Sequence, residues 1–197
     1  MGEEESMSGR LNNLVHVAAL LPIVLAAPSL FLPMWSFQLN APLYGQRWLE
    51  VTVHPLTGVS GDVEEVNIVN HYVGLGPIGN DHIPEIVYMP YVYAAYLVVT
   101  VLSATTLFLR KRKLALLFLV IGLVLVASIY VYVYMWLYWY THTIMPGAAV
   151  KIEPFDPPYI GEHKIANFVV RSYPGPSLIL LTLSSIVGLV LSIRKKS

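Results

Sequence analysis

The chain has 197 residues, 56% of them hydrophobic and only 12% charged, and its 12 Lys and Arg balance 12 Asp and Glu to a net charge of zero. Soluble domains carry roughly 25% charged residues, so most of this chain is built for a lipid solvent, and the lack of net positive charge argues against a nucleic-acid partner. With no cysteine, the chain cannot form disulfides, thiolate metal sites, iron–sulfur clusters or covalent haem links, which leaves His, Met, carboxylate and backbone oxygen as metal ligands.

A short tail, residues 1–10, precedes an apolar run over residues 11–34, long enough for the ~20 residues that cross a ~30 Å hydrocarbon core. Its strongly polar members, Asn12, Asn13 and His16, sit near the start, and Pro22, Pro28 and Pro33 predict kinks or an early stop near Pro28. A cleavable leader ending at Ala26-Ala27 is the alternative, although the run is longer than a usual leader core and Pro28 follows the small pair directly. A second apolar segment covers 87–109 and ends at Arg110-Lys111-Arg112-Lys113; a third covers 114–139; a fourth covers 177–193, before Arg194-Lys195-Lys196. Basic residues of short loops stay in the cytoplasm, so segments 110–113 and 194–197, together with Arg10, place both termini inside and loops 35–86 and 140–176 outside the cell membrane. The expected fold class is therefore mainly α and integral to the membrane: a four-transmembrane-helix bundle with a small mixed α/β subdomain built from two extracytoplasmic loops. Those loops carry nine acidic residues against Arg47, Lys151, Lys164 and Arg171, which either keeps them hydrated or favours cations and basic partners.

In the first loop, residues 46–54 (QRWLEVTVH) are rich in β-branched residues and stop at Pro55, which predicts a strand, with 36–40 (SFQLN) as its partner. A helix follows near 62–73, with Asp62 as its N-cap, Glu65 completing a capping box, and Gly74 ending it. Val63, Val66, Val69 and Val73 make an apolar stripe on it, and Glu64, Asn67, Asn70, His71 and Gly74 a polar row. The stretch Gly61-Asp62, Asn67, Asn70-His71-Tyr72-Val73-Gly74 and Pro77-Ile78 resembles a family of small, largely uncharacterised bacterial and archaeal four-helix membrane proteins with a "GD…N…NHYIG" signature in an outer loop. The resemblance covers about one helix and its flanks, and it implies an accessory role near respiratory or copper enzymes. A Met after the signature glycine would suit copper; this chain has Leu75 there, which puts copper ligation in doubt.

Tyr88, Tyr91 and Tyr93 on the second segment, and Tyr130, Tyr132, Tyr134, Trp136, Tyr138, Trp139 and Tyr140 on the third, predict an aromatic belt at headgroup level, or else a stacking platform for a ring-bearing ligand. The second loop holds six prolines and is expected to be extended, with residues 166–170 as a short strand, and to lie over the first loop as a lid. Five of the 6 histidines fall in these loops. Imidazole is a common copper and zinc ligand, so His71 with His82, His142 or His163 is the candidate metal set, copper the candidate ion, and Asp81 or Glu85 could complete the shell. No HxH or HxxxH spacing demands it, and His71 reads equally well as a helix residue bonded to Asn67. A bundle haem is excluded because His16 alone lies in a predicted membrane helix. Gly74-Leu75-Gly76-Pro77-Ile78-Gly79 lacks the basic residue of a phosphate loop.

These readings favour a non-catalytic accessory protein or small subunit of a membrane respiratory or copper-dependent complex, whose outer lid holds a partner or cofactor. Membrane lipid and larger membrane-complex subunits are the expected partners. The alternative is an extracytoplasmic copper- or zinc-binding delivery protein. Gly122, Ala127, Ser128, Ser184, Ser185 and Gly188 are expected where helices touch.

Overall fold

A computed structural model describes residues 18–165 and 167–193. The expectations placed on residues 1–17, among them Arg10 and His16, on Ala166 and on Arg194-Lys195-Lys196 lie outside the described residues. The described elements are α1 (Ala18–Phe31), β1 (Trp35–Asn40), β2 (Trp48–His54), β3 (Gly58–Gly61), α2 (Val63–Val73), α3 (Met89–Phe108), α4 (Arg112–His142), β4 (Gly161–Ile165), β5 (Phe168–Pro174) and α5 (Pro176–Ile193). Helix α1 tightens to a 3-10 turn over Ala27–Phe31, where Pro28 has no N–H to continue the α-helical ladder, and Ser29 Oγ donates to the Ala26 carbonyl at 2.6 Å.

Among the described residues, three helices are long and apolar enough to cross a membrane: Pro84–Phe108, which includes the 3-10 turn leading into α3, then α4 and α5. The described part of α1 falls short of that length. The expected four-helix bundle with a small mixed subdomain is therefore corrected. Beside the three long helices stands a five-stranded antiparallel sheet of order β3-β2-β1-β5-β4, drawn from both loops. The expected pairing of 36–40 with 46–54 is present as β1 and β2; the five-stranded sheet as a whole escapes local periodicity because its central pairing is non-local, running from Trp35↔Pro174 to Asn40↔Val169, and because β4 (GEHKI) carries the charged residues of a solvent-exposed edge.

The sheet joins the helices without linkers. At the crossing, the Gly175 N–H donates to the Met34 carbonyl (2.8 Å) and the Ser177 N–H to that of Pro33 (3.1 Å), so the exit from α1 and the entry to α5 run side by side. A Cβ on Gly175 would lie 2.2 Å from the Pro33 oxygen, so only glycine allows this approach.

Helices α3 and α4 form an antiparallel pair. Ser103 Oγ donates to the Ala115 carbonyl (3.0 Å), and the Tyr96 ring lies beside Gly122. Met89, the first residue of α3, shares a cavity with Val133 of α4. Helix α4 consequently runs on for roughly nine residues, ~13 Å at 1.5 Å per residue, beyond the level where α3 begins. Helix α5 packs through small and hydroxylated residues: Gly188 against Leu119, Ser184 Oγ donating to the Pro22 carbonyl (2.8 Å), and Ser185 Oγ 2.8 Å from the Tyr96 hydroxyl. Ala127 and Ser128, also expected at helix contacts, are exposed instead.

Strand alternation sorts the sheet into two faces. Trp35, Phe37, Leu39, Leu49, Val51 and Val53 turn toward the helices: Trp35, Phe37 and Val53 over the ends of α3 and α4, and Leu39, Leu49 and Val51 alongside Val66 of α2. Gln38, Glu50, Thr52 and Arg171 occupy the open face, where the Arg171 guanidinium lies 4.0 Å over the Trp48 ring and pairs with Glu162 at 2.8 Å.

Candidate functional site

The seam between sheet and helices is built from aromatic rings and hydroxyls. Trp35, fully buried, stacks on Tyr159 at 5.1 Å and meets Tyr130 edge-on at 6.2 Å. Its indole N–H donates to Ser172 Oγ (2.9 Å), which donates onward to the Tyr159 carbonyl (2.9 Å), and the Tyr159 hydroxyl donates to the Tyr130 carbonyl (2.9 Å). Burial, reinforced by Tyr130, pushes the Tyr159 phenol above its ordinary range. Ser177 gives its single proton to the Ser29 carbonyl at 2.6 Å, so the Tyr93 hydroxyl, 2.9 Å away, donates to Ser177. Among the described residues no buried side-chain N or O lacks a partner. The seam is therefore a fastening in which every polar group is already bonded.

The signature stretch is also architectural. Gly61, at φ +101°, lies against the Glu50 carbonyl, 2.2 Å from where a Cβ would be. The Asp62 carboxylate accepts from Arg47 (2.7 Å) and from the Glu50 N–H (2.9 Å), while Glu65 lies 3.8 Å from the same guanidinium. The expected capping box is thus replaced by a clamp on β2, because the chain enters α2 directly from β3 and points Asp62 back at the sheet edge. Asn67 reads the backbone of Ile78 in both directions, donating to its carbonyl and accepting its N–H, each at 2.8 Å; Asn70 donates to Asn67 at 3.4 Å. Gly74, at φ +81°, closes α2: its N–H reaches the His71 carbonyl (3.3 Å), that of Leu75 reaches Asn70 (2.8 Å), and the Met145 N–H reaches Gly74 (2.7 Å). Asn80, which sequence reasoning passed over, does for the β2–β3 turn what Asn67 does for Ile78, accepting the Val59 N–H at 2.7 Å. Asn67→Ala should cost about 1–3 kcal/mol by stranding two backbone groups. It should speed hydrogen exchange at the Ile78 amide while β1 and β5 amides stay protected; unchanged exchange at Ile78 would contradict the clamp.

The candidate metal ligands lie on different parts of the chain. His71 is exposed on α2 and His82 is exposed beyond Gly79. His142 stacks on Tyr138 at 4.0 Å with Nδ1 2.8 Å from the Tyr138 carbonyl, and His163 lies on β4 with Nε2 3.2 Å from the Ile160 carbonyl. Among the described residues no three of His, Asp and Glu are grouped to hold a metal ion.

Among the described residues, the projecting end of α4 is covered on one side alone. One side is packed: Val133, Leu137 and Thr141 are buried, Trp136 stacks on Tyr140 at 5.0 Å, and the Tyr140 hydroxyl donates to the Gly76 carbonyl at 2.7 Å. The other side shows Tyr134, Met135, Tyr138 and Trp139 at 42%, 58%, 43% and 63% exposure. Spacing i, i+1, i+4, i+5 puts these side chains on one stripe. Protein-family models, curated proteins and solved structures give no match to this chain. The stripe's chemistry is accordingly the guide to what the site does.

Proposed function

We propose that the chain is a non-catalytic subunit of a larger membrane complex. In this reading α3, α4 and α5 cross the cell membrane with segment 110–113 on the cytoplasmic side, and the far end of α4 holds a partner protein. The uncovered aromatic stripe carries the proposal. Headgroups extend only ~5–8 Å beyond each side of the hydrocarbon, so a belt accounts for Tyr134 and Tyr138, whereas Trp139, ~9 Å along α4 from Val133, stands past it. Apolar surface in that position calls for protein cover. The acidic loops suit a basic partner surface. The family resemblance around Asn70-His71-Tyr72-Val73-Gly74 points that partner toward respiratory or copper enzymes.

Native mass spectrometry of protein gently released from its own membrane tests this. The wild type is expected in a particle of defined stoichiometry well above the 22.0 kDa of the chain, and the double variant Tyr138→Glu, Trp139→Glu as the single chain. A lone 22.0 kDa species from the wild type would overturn the proposal. Near-stoichiometric copper or zinc in the same sample, lost in His71→Ala, would shift the reading to metal delivery.

A further inference from the structure

Between α3 and α4 the chain reverses within residues 109–111, and four bases in a row, Arg110-Lys111-Arg112-Lys113, stand at that turn. Its own backbone holds it: the N–H groups of Leu109, Arg110 and Lys111 donate to the carbonyls of Thr105 (3.0 Å), Leu107 (3.0 Å) and Thr106 (2.8 Å). Arg110 takes φ +58°, a left-handed conformation uncommon outside glycine and found at no other described non-glycine residue. The four side chains then differ in use. Arg112 is half-buried, and its Nε donates to the Ser192 carbonyl near the end of α5, so it ties two helices together. Arg110, Lys111 and Lys113 are exposed. Among the described residues no carboxylate pairs with any of them, the ion pairs being those of Arg47 and Arg171 on the sheet side.

So much charge of one sign on a fixed turn is unfavourable by itself. The first turn of α4 adds to it, since it carries no acid and the helix dipole is positive there. Keeping the loop in the cytoplasm requires only that the bases be present, not that a hydrogen-bonded turn fix the backbone carrying them. An anion relieves the repulsion, and the neighbouring side chains select which anion. Leu109 and Leu114, on either side of the bases, are 61% and 42% exposed. A phosphate free in water leaves both uncovered, whereas a phosphate at the membrane surface arrives with acyl chains that cover them. The end of the apolar helix α3 at Phe108 puts the turn at the level of such headgroups.

We infer that the α3–α4 turn binds the headgroup phosphate of an anionic phospholipid from the cytoplasmic leaflet, with Arg110, Lys111 and Lys113 facing the phosphate and Leu109 and Leu114 against the acyl chains. The inference rests on the reading that α3, α4 and α5 cross a bilayer, and it is independent of the partner on α4.

Native mass spectrometry of the full chain in a neutral detergent, titrated with phosphatidylglycerol, phosphatidylcholine or glycerol 1-phosphate, tests it. Phosphatidylglycerol is expected to remain bound to the chain at concentrations where neither of the others does. Each base near an anionic surface contributes about fivefold, so Lys111→Gln with Lys113→Gln should weaken phosphatidylglycerol roughly twenty-five-fold. Both lysines are exposed, so the exchange leaves the packing intact. Lys151→Gln with Lys164→Gln, which removes the same charge from the second loop, should leave binding unchanged. Equal weakening by the two pairs, or phosphatidylcholine held as tightly as phosphatidylglycerol, would overturn the inference. Glycerol 1-phosphate bound as tightly would assign the turn to a soluble phosphate and overturn the lipid. Binding that appears only after Glu3, Glu4 and Glu5 are changed to Gln would overturn it too, since the chain's own acidic start would then be the occupant. Release of the reconstituted chain from vesicles by alkaline carbonate would overturn the membrane reading beneath; a chain that resists carbonate yet holds no phosphatidylglycerol would overturn the inference alone.

Discussion

Replacing Gly175 with alanine is expected to lower stability by more than about 3 kcal/mol, a severe effect for one added methyl group. The new Cβ would lie 2.2 Å from the Pro33 oxygen, 2.8 Å from its carbonyl carbon and 3.1 Å from that of Met34. All three are backbone atoms, so no rotamer change relieves the clash. Relief requires the two crossings to separate, which breaks the Gly175–Met34 and Ser177–Pro33 bonds. Overpacking of this kind costs about 1–3 kcal/mol, and each lost hydrogen bond about 0.5–1.5 kcal/mol more. Gly76→Ala is the control, since its nearest neighbour would be the flexible end of Met145 at 3.6 Å. Thermal unfolding of the purified protein should show a large drop for the first variant and little change for the second. Equal melting of both would mean that the junction yields easily and that the sheet is not rigidly held.

Trp35→Ala is expected to be comparably damaging, at about 3–5 kcal/mol, because it empties a fully buried site with aromatic contacts to two neighbours. Trp35→Phe separates ring packing from hydrogen bonding. Phenylalanine keeps most of the contact with Tyr159 and Tyr130 and loses only the indole N–H, and Ser172 still donates to the Tyr159 carbonyl, so no buried donor is stranded. Its cost should be about 1–2 kcal/mol. Denaturant unfolding that ranks the wild type above the phenylalanine variant, and that above the alanine variant, fits this account. Equal loss in both variants would mean that the indole N–H, and not packing, holds the seam.

What could be read from the sequence was what is written locally. Apolar length and the basic cluster at 110–113 mark α3, α4 and α5. The β-branched run ending at Pro55 marks β2, and the alternation of valines with Gly74 at the end marks α2. Three features escaped because they depend on residues far apart. Trp35 pairs with Pro174, so nothing near either residue announces the middle of a sheet. Asp62 has the spacing of a cap yet serves β2, because the preceding strand sets its direction. Histidines crowded in sequence into two loops sit on different elements, α2, α4 and β4 among them, and among the described residues no three of His, Asp and Glu come together. The projecting aromatic end of α4 was half legible: its residues are plain in the sequence, but only the level at which α3 starts shows which of them project beyond it.

The central position of β1 and β5 bears on how the protein is made. A growing chain completes β1, β2 and β3 first, and must then produce α2, α3 and α4 before β5 exists. Throughout that interval the bare edge of the unfinished sheet is β1, the strand that will become its middle, and an unpaired edge of this kind invites pairing with other chains. A product that stops short of β5 would therefore present a sticky core strand instead of the charged rim that β4 supplies, and so would be marked for quality control by the same pairing that makes the finished protein stable.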